Sequence, residues 1–286
     1  MAQAPLPIVR MIADLRRTLD GWRAAGQTIG MVPTMGALHV GHLSLVACAR
    51  ARTDRVIASI FVNPTQFAPG EDFDAYPRSE ARDAALLADA GCDLLFAPSV
   101  QEMYAPGFST TVTVSGVSEP MDGQSRPSHF SGVATVVAKL LIQARPDVAV
   151  FGEKDYQQLQ VIKRLALDLD LPTAIIGAPT VRAEDGLALS SRNAYLTPAQ
   201  RQIAASLNVV LLNIARALAQ GEAVAVAEAE AFEALISAGF DSIDYVEARH
   251  ADTLERLGPG PVGQVPARVL AAAWLGKTRL IDNRPI

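Results

Sequence analysis

Short apolar segments alternate with helical patterns along the first two-thirds of the chain. The segment from Thr28 to Met35 is mostly apolar, and residues 41–53 repeat apolar side chains at helical spacing. Residues 55–62 form a second apolar run, rich in β-branched side chains, that stops at an Asn-Pro pair. A strand, a helix and a strand in this order predict a βαβ unit with a right-handed crossover.

The same alternation continues to about residue 181, where the pattern changes. Repeated strand–helix units predict an α/β fold with a Rossmann-like, doubly wound parallel sheet over residues 1–181. Helices followed by strands then predict a smaller C-terminal α+β domain over residues 182–286. The other predicted elements are helices over 8–26, 79–90, 132–144, 155–169, 197–221 and 223–239, strands over 93–98, 147–152, 173–181, 242–250 and 268–275, and a Gly/Pro-rich loop over 257–266.

Composition and charge narrow the possible functions. Of 286 residues, 50% are hydrophobic and 19% are charged, which is typical of a soluble globular protein with a large core. The formal net charge of -5 gives no general attraction to nucleic acid or to an anionic membrane, so an anionic substrate needs a local site. Cys48 and Cys92 cannot form a disulfide framework, and we expect buried, reduced thiols. We expect no membrane-spanning run and a cytoplasmic location.

The segment PTMGALHVGH, Pro33 to His42, is the most informative about chemistry. It leaves a predicted strand, turns on Gly36 and enters a helix at His39 and His42, which share one helix face. Free N–H groups and the positive end of the helix dipole favour phosphate at this point. Gly41 lets a nucleotide approach closely. We therefore predict that both imidazoles contact nucleotide phosphates; the alternative is two coincidental surface histidines.

HVGH resembles the H-x-G-H signature of the nucleotidylyltransferase and class I aminoacyl-tRNA synthetase superfamily, which by itself indicates only adenylyl or nucleotidyl transfer. The wider string MVPTMGALHVGHLSLV resembles the version found in the pantothenate synthetase (pantoate–β-alanine ligase) family. Further segments match the family in the same order along the chain: FVNPTQF at 61–67, YPR at 76–78, SRPSHFSGVATVVAKL at 125–140, FGEKDYQQLQVI at 151–162 and LSSRNAYL at 189–196. In the C-terminal third the likeness is mainly of length and helix–strand order.

This resemblance implies a ligase that condenses (R)-pantoate with β-alanine through a pantoyl-adenylate and releases pyrophosphate and AMP. The implied substrates are ATP, pantoate and β-alanine, with Mg²⁺ accompanying ATP. The resemblance also implies a homodimer, and the acidic net charge predicts no nucleic-acid or membrane partner. Residues 1–181 would bind the nucleotide and pantoate, and residues 182–286 would close over the active site.

The resemblance further implies roles for individual residues. The expected catalytic residues, which hold the phosphates, are His42, His39, Lys154, Ser191 and Arg192. The expected ATP contacts are Met35, Gly36, Ala37, Leu38, His39, Val40, Gly41, His42, Gly152, Glu153, Lys154, Asp155, Val181, Leu189, Ser190, Ser191 and Arg192. The expected substrate contacts are Gln66 with pantoate and β-alanine, Gln158 with pantoate, and Asn63, Arg126 and His129.

The residue types in two of these segments suit phosphate chemistry. Lys154 follows an apolar strand and can neutralise charge on leaving pyrophosphate, while Asp155 is placed to cap the next helix. Arg192 offers a bidentate contact to phosphate oxygens. The alternatives are a solvated lysine beside an ordinary helix cap, and a plain polar linker for Ser-Ser-Arg-Asn.

Each of the remaining candidates has a structural alternative. Asn63 and Gln66 follow a strand and could hold a small hydroxy acid, although an Asn-Pro turn is often only a loop cap. Arg126 and His129 could meet a carboxylate, but Ser128 stands where the family usually has Gly. Asp83 is a candidate for a magnesium-linked position, with a solvated helix-face carboxylate as the alternative.

Three other functions are left open by the residues. A nucleotidylyltransferase would keep the nucleotide in its product and release pyrophosphate without AMP. An aminoacyl-tRNA synthetase-like RNA-binding protein would need nucleic acid, which the acidic net charge and the lack of a basic, aromatic-interleaved patch disfavour. A ligand-sensing α/β module would bind ATP without turnover. The lack of a Walker A sequence argues against γ-phosphoryl transfer.

Overall fold

Within residues 5–67 and 73–286, which the computed structural model describes, six parallel strands form the main sheet in the order β1-β4-β3-β2-β5-β6. The predicted Rossmann-like, doubly wound sheet is confirmed. Its strands are β1 (Ile8–Val9), β2 (Ile29–Thr34), β3 (Arg55–Ile60), β4 (Leu94–Phe96), β5 (Val148–Gly152) and β6 (Ala174–Ala178). Its helices are α1 (Ile12–Ala24), α2 (Val40–Arg50), α3 (Glu80–Asp89), α4 (Val100–Met103), α5 (Asp122–Ser125), α6 (His129–Ala144) and α7 (Tyr156–Asp168).

Alternate residues along the central strands face opposite layers of helices. Met31 and Ile57 pack in one core cluster with α1, α6 and α7. Their neighbours Val32 and Val56 pack in a second cluster with α2 and α3. Burial on both faces explains why these strands are continuous apolar runs in the sequence.

The first helix begins later than the sequence predicts. Ile8 and Val9 form an edge strand that pairs in parallel with Leu95 and Phe96 of β4. The N–H of Ile12 then donates to the carboxylate of a distant residue, Glu102, at 2.8 Å. The predicted start of the helix at residue 8 was wrong. The strand partner and the helix cap lie about ninety residues away in the sequence, so the residues near position 8 do not reveal them. Helix α6 also begins earlier than predicted, at residue 129 and not 132.

The C-terminal part is an antiparallel sheet covered by helices. The predicted strands over 242–250 and 268–275 are found, but a third strand was missed, because its buried Asp282 and Asn283 break an apolar pattern. The boundary between 181 and 182 stays a prediction. The elements are α8 (Pro198–Ala204), α9 (Ser206–Ala219), α10 (Val224–Ala238), β7 (Ser242–His250), β8 (Ala267–Leu275) and β9 (Thr278–Pro285).

One helical segment among the described residues, Pro198–Ala219, is long and apolar enough to cross a membrane by length and composition alone. Arg201 and Arg216 interrupt this segment, so it is not the long uncharged apolar run that the sequence was expected to lack. Of its most apolar window, 44% is buried. Leu207, Leu211 and Ile214 lie in the core beneath β7, β8 and β9, so packing against the sheet accounts for their apolar character.

Neither cysteine forms a disulfide. Cys92 is buried, and desolvation raises the pKa of its thiol to about 11, which keeps the thiol protonated and unreactive. Cys48 is half-buried, so the expectation of two buried thiols is right for Cys92 alone.

Candidate active site

A cavity of about 1500 Å³ lies at the carboxyl ends of the parallel strands. One wall comes from the segments that follow β2, β3 and β5, and it includes His39, Gln66 and Lys154. The opposite wall comes from the C-terminal sheet and includes Tyr245 and Asn283. Strands β2 and β5 are neighbours at the point where the strand order reverses, which is where open α/β sheets bind ligands.

The helix that follows β2 is capped by its own two histidines. His39 is the N-cap of α2, and its Nδ1 accepts a hydrogen bond from the N–H of Gly41 at 3.1 Å. His42 Nδ1 accepts from the N–H of His39 at 3.3 Å, and the ring centroids lie 4.1 Å apart. A nitrogen that accepts carries no hydrogen, so each neutral ring has its hydrogen on Nε2. Both rings line the cavity and keep this one donor for a ligand.

The absence of a side chain at Gly41 makes room for the ring of His39. A Cβ at position 41 would lie 2.8 Å from His39 Cε1 and 2.9 Å from His39 Nδ1. The sequence suggested that Gly41 makes room for a nucleotide. The group that it first makes room for is the His39 ring, which any side chain would displace from its capping position.

A buried carboxylate holds the turn between β2 and α2. Asp83 is 1% exposed and accepts from the N–H groups of Ala37 and Leu38 at 2.8 and 3.0 Å. These bonds fix a turn in which Gly36 and Ala37 have positive φ angles of 86° and 52°. Asp83 is not among the described residues that line the cavity. The solvated-carboxylate alternative is therefore wrong, and the magnesium-linked role has no support in this geometry; Asp83 fixes where His39 enters the cavity.

Burial keeps both histidines neutral. Desolvation, then His39, lowers the pKa of His42 from 6.5 to about 3, and Asp155 opposes this shift only in part. Desolvation and then Lys154 lower the pKa of His39 as well. For Asp155, desolvation would raise the pKa, but Lys154 and Arg192 lower it below its usual value. At neutral pH this end of the cavity thus presents two neutral imidazole donors beside a carboxylate.

The depressed pKa of His42 predicts that the protein loses stability on mild acidification. The unfolded chain takes up a proton near pH 6.5, whereas folded His42 resists protonation down to about pH 3. The stabilising contribution is therefore complete above pH 6.5 and is lost as the pH falls towards 3, by about 2 kcal/mol between pH 7 and 5. Urea unfolding at pH 7 and at pH 5 should show this fall in the free energy of unfolding of the native protein and a smaller fall in His42→Gln. Equal falls in the two proteins would contradict the prediction.

The turn after β5 brings Lys154 to the same crevice. Glu153–Asp155 form a single 3-10 turn between β5 and α7. Lys154 Nζ lies 3.4 Å from Asp155 Oδ1, and both residues line the cavity. Asp155 occupies the N-cap position of α7 but makes no side-chain capping hydrogen bond. The predicted helix cap is therefore wrong, and the carboxylate is directed to Lys154.

Asn63 orients Gln66. Asn63 is 1% exposed, and its Nδ2 donates to Gln66 Oε1 at 3.2 Å and to the carbonyl of Gly132 at 3.1 Å. The Gln66 amide therefore keeps Nε2, 2.9 Å from Met35 Sδ, as its donor at the cavity. Asn63 Oδ1 accepts from the N–H of Thr65 at 3.3 Å, which is the loop cap weighed as the alternative. Direct substrate binding by Asn63 has no support in this geometry.

The backbone carbonyl of Gln66 joins two further side chains. Arg126 Nη2 donates to it at 3.3 Å, and His129 Nδ1 lies 2.9 Å from it. Since a carbonyl can only accept, Nδ1 of His129 is protonated. Both side chains line the cavity, so they hold the Gln66 turn and face the site at once. Ser128, at the N-cap of α6, makes no side-chain cap.

A hairpin lays the Ser-Ser-Arg segment along the cavity. The N–H of Leu189 donates to the carbonyl of Val181 at 3.0 Å. Ser190 Oγ then accepts from the N–H of Arg192 at 3.3 Å and begins a 3-10 helix over Ser191–Tyr195. Because these residues line the cavity, a plain polar linker does not describe them.

Comparison with known proteins shows the family of the chain. The family model of pantoate-β-alanine ligase matches residues 7–285. The pantothenate synthetase of Caulobacter vibrioides is 63% identical over 279 residues, which are 98% of this chain and 98% of that protein. The chain belongs to the pantoate–β-alanine ligase family.

Solved structures of other ligases of this family superimpose on the whole chain. Pantothenate synthetase from Thermus thermophilus gives a TM-score of 0.91 at 48% identity and covers 98% of this chain and 99% of that one. The ligase from Francisella tularensis, complexed with Beta-gamma ATP and β-alanine, gives a TM-score of 0.82 at 36% identity. It covers 98% of this chain and 97% of that one. The predicted family, and the prediction that the chain is a pantoate–β-alanine ligase, are confirmed.

Most residues predicted for the ligase site line the same cavity, that between the main sheet and the C-terminal sheet. Most of the exceptions lie in or hold the turns that carry the cavity residues. Val40 instead is 63% exposed and points to solvent. The residues in the cavity are Met35, His39, Gly41, His42, Gln66, Arg126, His129, Gly152, Lys154, Asp155, Gln158, Val181, Leu189, Ser190, Ser191 and Arg192. Those outside its lining are Gly36, Ala37, Leu38, Val40, Asn63, Asp83 and Glu153.

Sequence reasoning missed the wall that the C-terminal sheet adds to the ligase cavity. Asp122 Oδ1 accepts from Tyr245 Oη at 2.9 Å and from Arg279 Nη2 at 2.6 Å, which ties the two sides of the cavity together. These partners are 123 and 157 residues apart, so no spacing could reveal them. Tyr76, the first residue of the YPR segment, also lies at the site, with its Oη 3.3 Å from Ser191 Oγ.

Proposed function

We propose that this ligase activates pantoate with ATP as an enclosed pantoyl-adenylate and then transfers the pantoyl group to the amine of β-alanine. A carboxylate resists an amine because its carbon is electron-rich and oxide is a poor leaving group. Attack of the carboxylate oxygen on the α-phosphorus expels pyrophosphate and makes AMP the later leaving group. The observation that carries the proposal is that His39, His42, Lys154 and the segment 189–192 line one cavity.

Adenylyl transfer needs alignment and charge stabilisation more than covalent help from the protein. The Nε2–H groups of His39 and His42, at the positive end of the α2 dipole, are donors for the phosphates. Lys154 and Arg192 supply positive charge for the oxygens that become pyrophosphate. Neutral imidazoles suit this task, because they donate hydrogen bonds without protonating the leaving group.

The amide side chains are proposed to bind the acid and the amine. Gln66, with its oxygen engaged by Asn63 and one Nε2 hydrogen donated to Met35 Sδ, offers its second Nε2 hydrogen to a carboxylate or a hydroxyl. Gln158 lines the same cavity from α7 and is assigned to pantoate. Arg126 and His129, on the Gln66 side, supply positive charge and a further polar group for a carboxylate. The backbone of Val181 is assigned to the adenine ring.

Mg²⁺ is proposed to enter with ATP. This ion is usually held by phosphate oxygens and water, with one or two carboxylates. Residues 5–67 and 73–286 contain no group of three or more His, Cys, Asp or Glu side chains placed to hold a metal. Asp122 and Asp282 are paired with arginines, and Asp155 is paired with Lys154 at the proposed phosphate end. These donors fit an ion bound mainly by the triphosphate, whose charge it would neutralise, with Asp155 as the nearby carboxylate.

The ligase is further proposed to act as a cytoplasmic homodimer without a nucleic-acid or membrane partner. The net charge of -5 supports the absence of a nucleic-acid or membrane partner, since it gives no attraction to polyanions. Light scattering of the purified protein should give about twice the chain mass of 30.3 kDa. A mass of one chain at working concentration would contradict the dimer.

Products of the partial reactions test the mechanism. Protein, ATP, Mg²⁺ and pantoate should release pyrophosphate and retain a pantoyl-adenylate, and addition of β-alanine should then release AMP. Omission of pantoate should stop pyrophosphate release. Formation of ADP would refute the adenylate, and a nucleotide retained in the final product would favour a nucleotidylyltransferase instead.

A further inference from the structure

The last strand of the chain holds the turn that carries Lys154. Asn283 of β9 is 3% exposed, and its Nδ2 donates to the carbonyls of Glu153 and Lys154, both at 2.9 Å. An asparagine amide nitrogen has two hydrogens, so one side chain satisfies both carbonyls. The contact runs from the C-terminal sheet to the turn at the end of β5, across the base of the cavity.

The orientation of this amide is fixed by an arginine. Asn283 Oδ1 accepts from Arg268 Nη1, which leaves Nδ2 to face the turn. The Arg268 guanidinium lies 3.9 Å from the centroid of the Tyr156 ring, and its Nη2 lies 3.4 Å from Glu153 Oε2. The arginine thus contacts the first residue of the turn, the residue that follows the turn, and the amide that holds it.

The backbone of Asn283 is also held in place. Its N–H donates to Asp282 Oδ1 at 2.7 Å. Asp282 in turn accepts from both terminal nitrogens of Arg182, at 2.6 and 2.9 Å, in a pair whose side chains are 2% and 14% exposed. Arg182 follows Val181 at the base of the hairpin that carries the Ser-Ser-Arg segment. The two neighbouring residues of β9 therefore bond to the turn that carries Lys154 and to the base of the hairpin that carries the Ser-Ser-Arg segment.

We infer that Asn283 is a positioning residue for Lys154 in the adenylation step, an inference that rests on the role proposed above for Lys154. A charge stabilises a transition state best when it is already in place before the reaction. The lysine side chain is long, so its reach depends on where its backbone is held. Loss of the two Asn283 hydrogen bonds frees the turn to shift, and the ammonium group then no longer meets the developing pyrophosphate.

The test separates the two half-reactions. Pantoate-dependent ATP–pyrophosphate exchange measures adenylation, and transfer from preformed pantoyl-adenylate to β-alanine measures the second step. Asn283→Ala should slow adenylation by about 10²-fold, with the transfer rate changed less than about threefold. Equal slowing of both steps, after correction for the folded fraction by thermal unfolding, would overturn the inference. Asn283→Ser keeps one donor, so its adenylation rate should lie between those of the native protein and of Asn283→Ala. It replaces the alanine variant in the test if that variant does not fold.

A double-mutant comparison adds a readout that a purely structural role would not give. In a Lys154→Ala background, Asn283→Ala should lower adenylation little further, because the group it positions is already gone. Additive losses would overturn the inference. If Lys154→Ala itself leaves adenylation unchanged, the proposed function fails instead. Asn213→Ala, on the exposed face of α9, is the matched control and should change neither half-reaction.

Discussion

Replacing His42 with alanine should slow the adenylation of pantoate by about 10²- to 10³-fold, the usual effect of removing one preorganised donor from developing charge. The same change removes the hydrogen bond from the N–H of His39 and should lower the free energy of unfolding by only about 1 kcal/mol. Pyrophosphate exchange and urea unfolding measure the two effects separately. A loss of activity no larger than the loss of folded protein would make His42 a structural residue.

Two variants control for the capping role of His42. Glutamine is a good residue at this position of a helix, because its side-chain oxygen can accept from the N-cap N–H. His42→Gln should therefore regain the stability lost in His42→Ala while adenylation stays well below that of the native protein. His250 accepts from the N–H groups of Asp252 and Thr253 at 3.2 and 3.3 Å, outside the cavity lining. His250→Ala should leave adenylation unchanged; if it does not, the assay is reporting general damage to the fold.

Gly132→Ala should both destabilise the protein and weaken pantoate binding. A Cβ at position 132 would lie 2.3 Å from the carbonyl oxygen of Thr65 and 2.8 Å from Cα of Gln66, so backbone must move. The clash should cost about 3 kcal/mol, and the better helix propensity of alanine returns about 1 kcal/mol. The net loss of about 2 kcal/mol should appear in urea unfolding. Displacement of Gln66 should raise the KM for pantoate at least about tenfold.

Gly21→Ala provides the matched control for this variant. Gly21 also lies inside a helix, α1, but a Cβ there would meet no atom within 4 Å. The substitution should raise the free energy of unfolding by roughly 0.5–1 kcal/mol and leave the KM for pantoate unchanged. A Gly132→Ala protein that behaves like Gly21→Ala would show that α6 does not pack tightly on the Gln66 turn.

Local pattern was sufficient for most of the main sheet. Strands β2 and β3 are continuous apolar runs because both of their faces are buried, and the helix between them shows apolar spacing. The same pattern placed His39 and His42 at a strand-to-helix junction. It failed for β9, whose buried Asp282 and Asn283 look like surface residues until their partners Arg182, Glu153 and Lys154 are known.

The site residues divide in the same way. Lys154 and Arg192 could be proposed because each follows a recognisable element and suits phosphate. Asp83 could not be interpreted correctly, because its two N–H partners lie 45 and 46 residues earlier in the chain. Asn63 likewise has the residue type of a substrate ligand, yet its hydrogen bonds hold Gln66 and Gly132.

The sequence by itself determined the strands β2 to β8 and most of the helices between them, the histidine pair at the start of α2 and the family of the ligase. These depend on side chains within a few residues of one another, whose spacing sets local structure directly. Only the tertiary structure decided which polar side chains face the cavity and which hold its walls. Those roles depend mainly on hydrogen bonds between residues 31 to 157 positions apart, such as Arg279 with Asp122, and such pairs form only when the sheets pack.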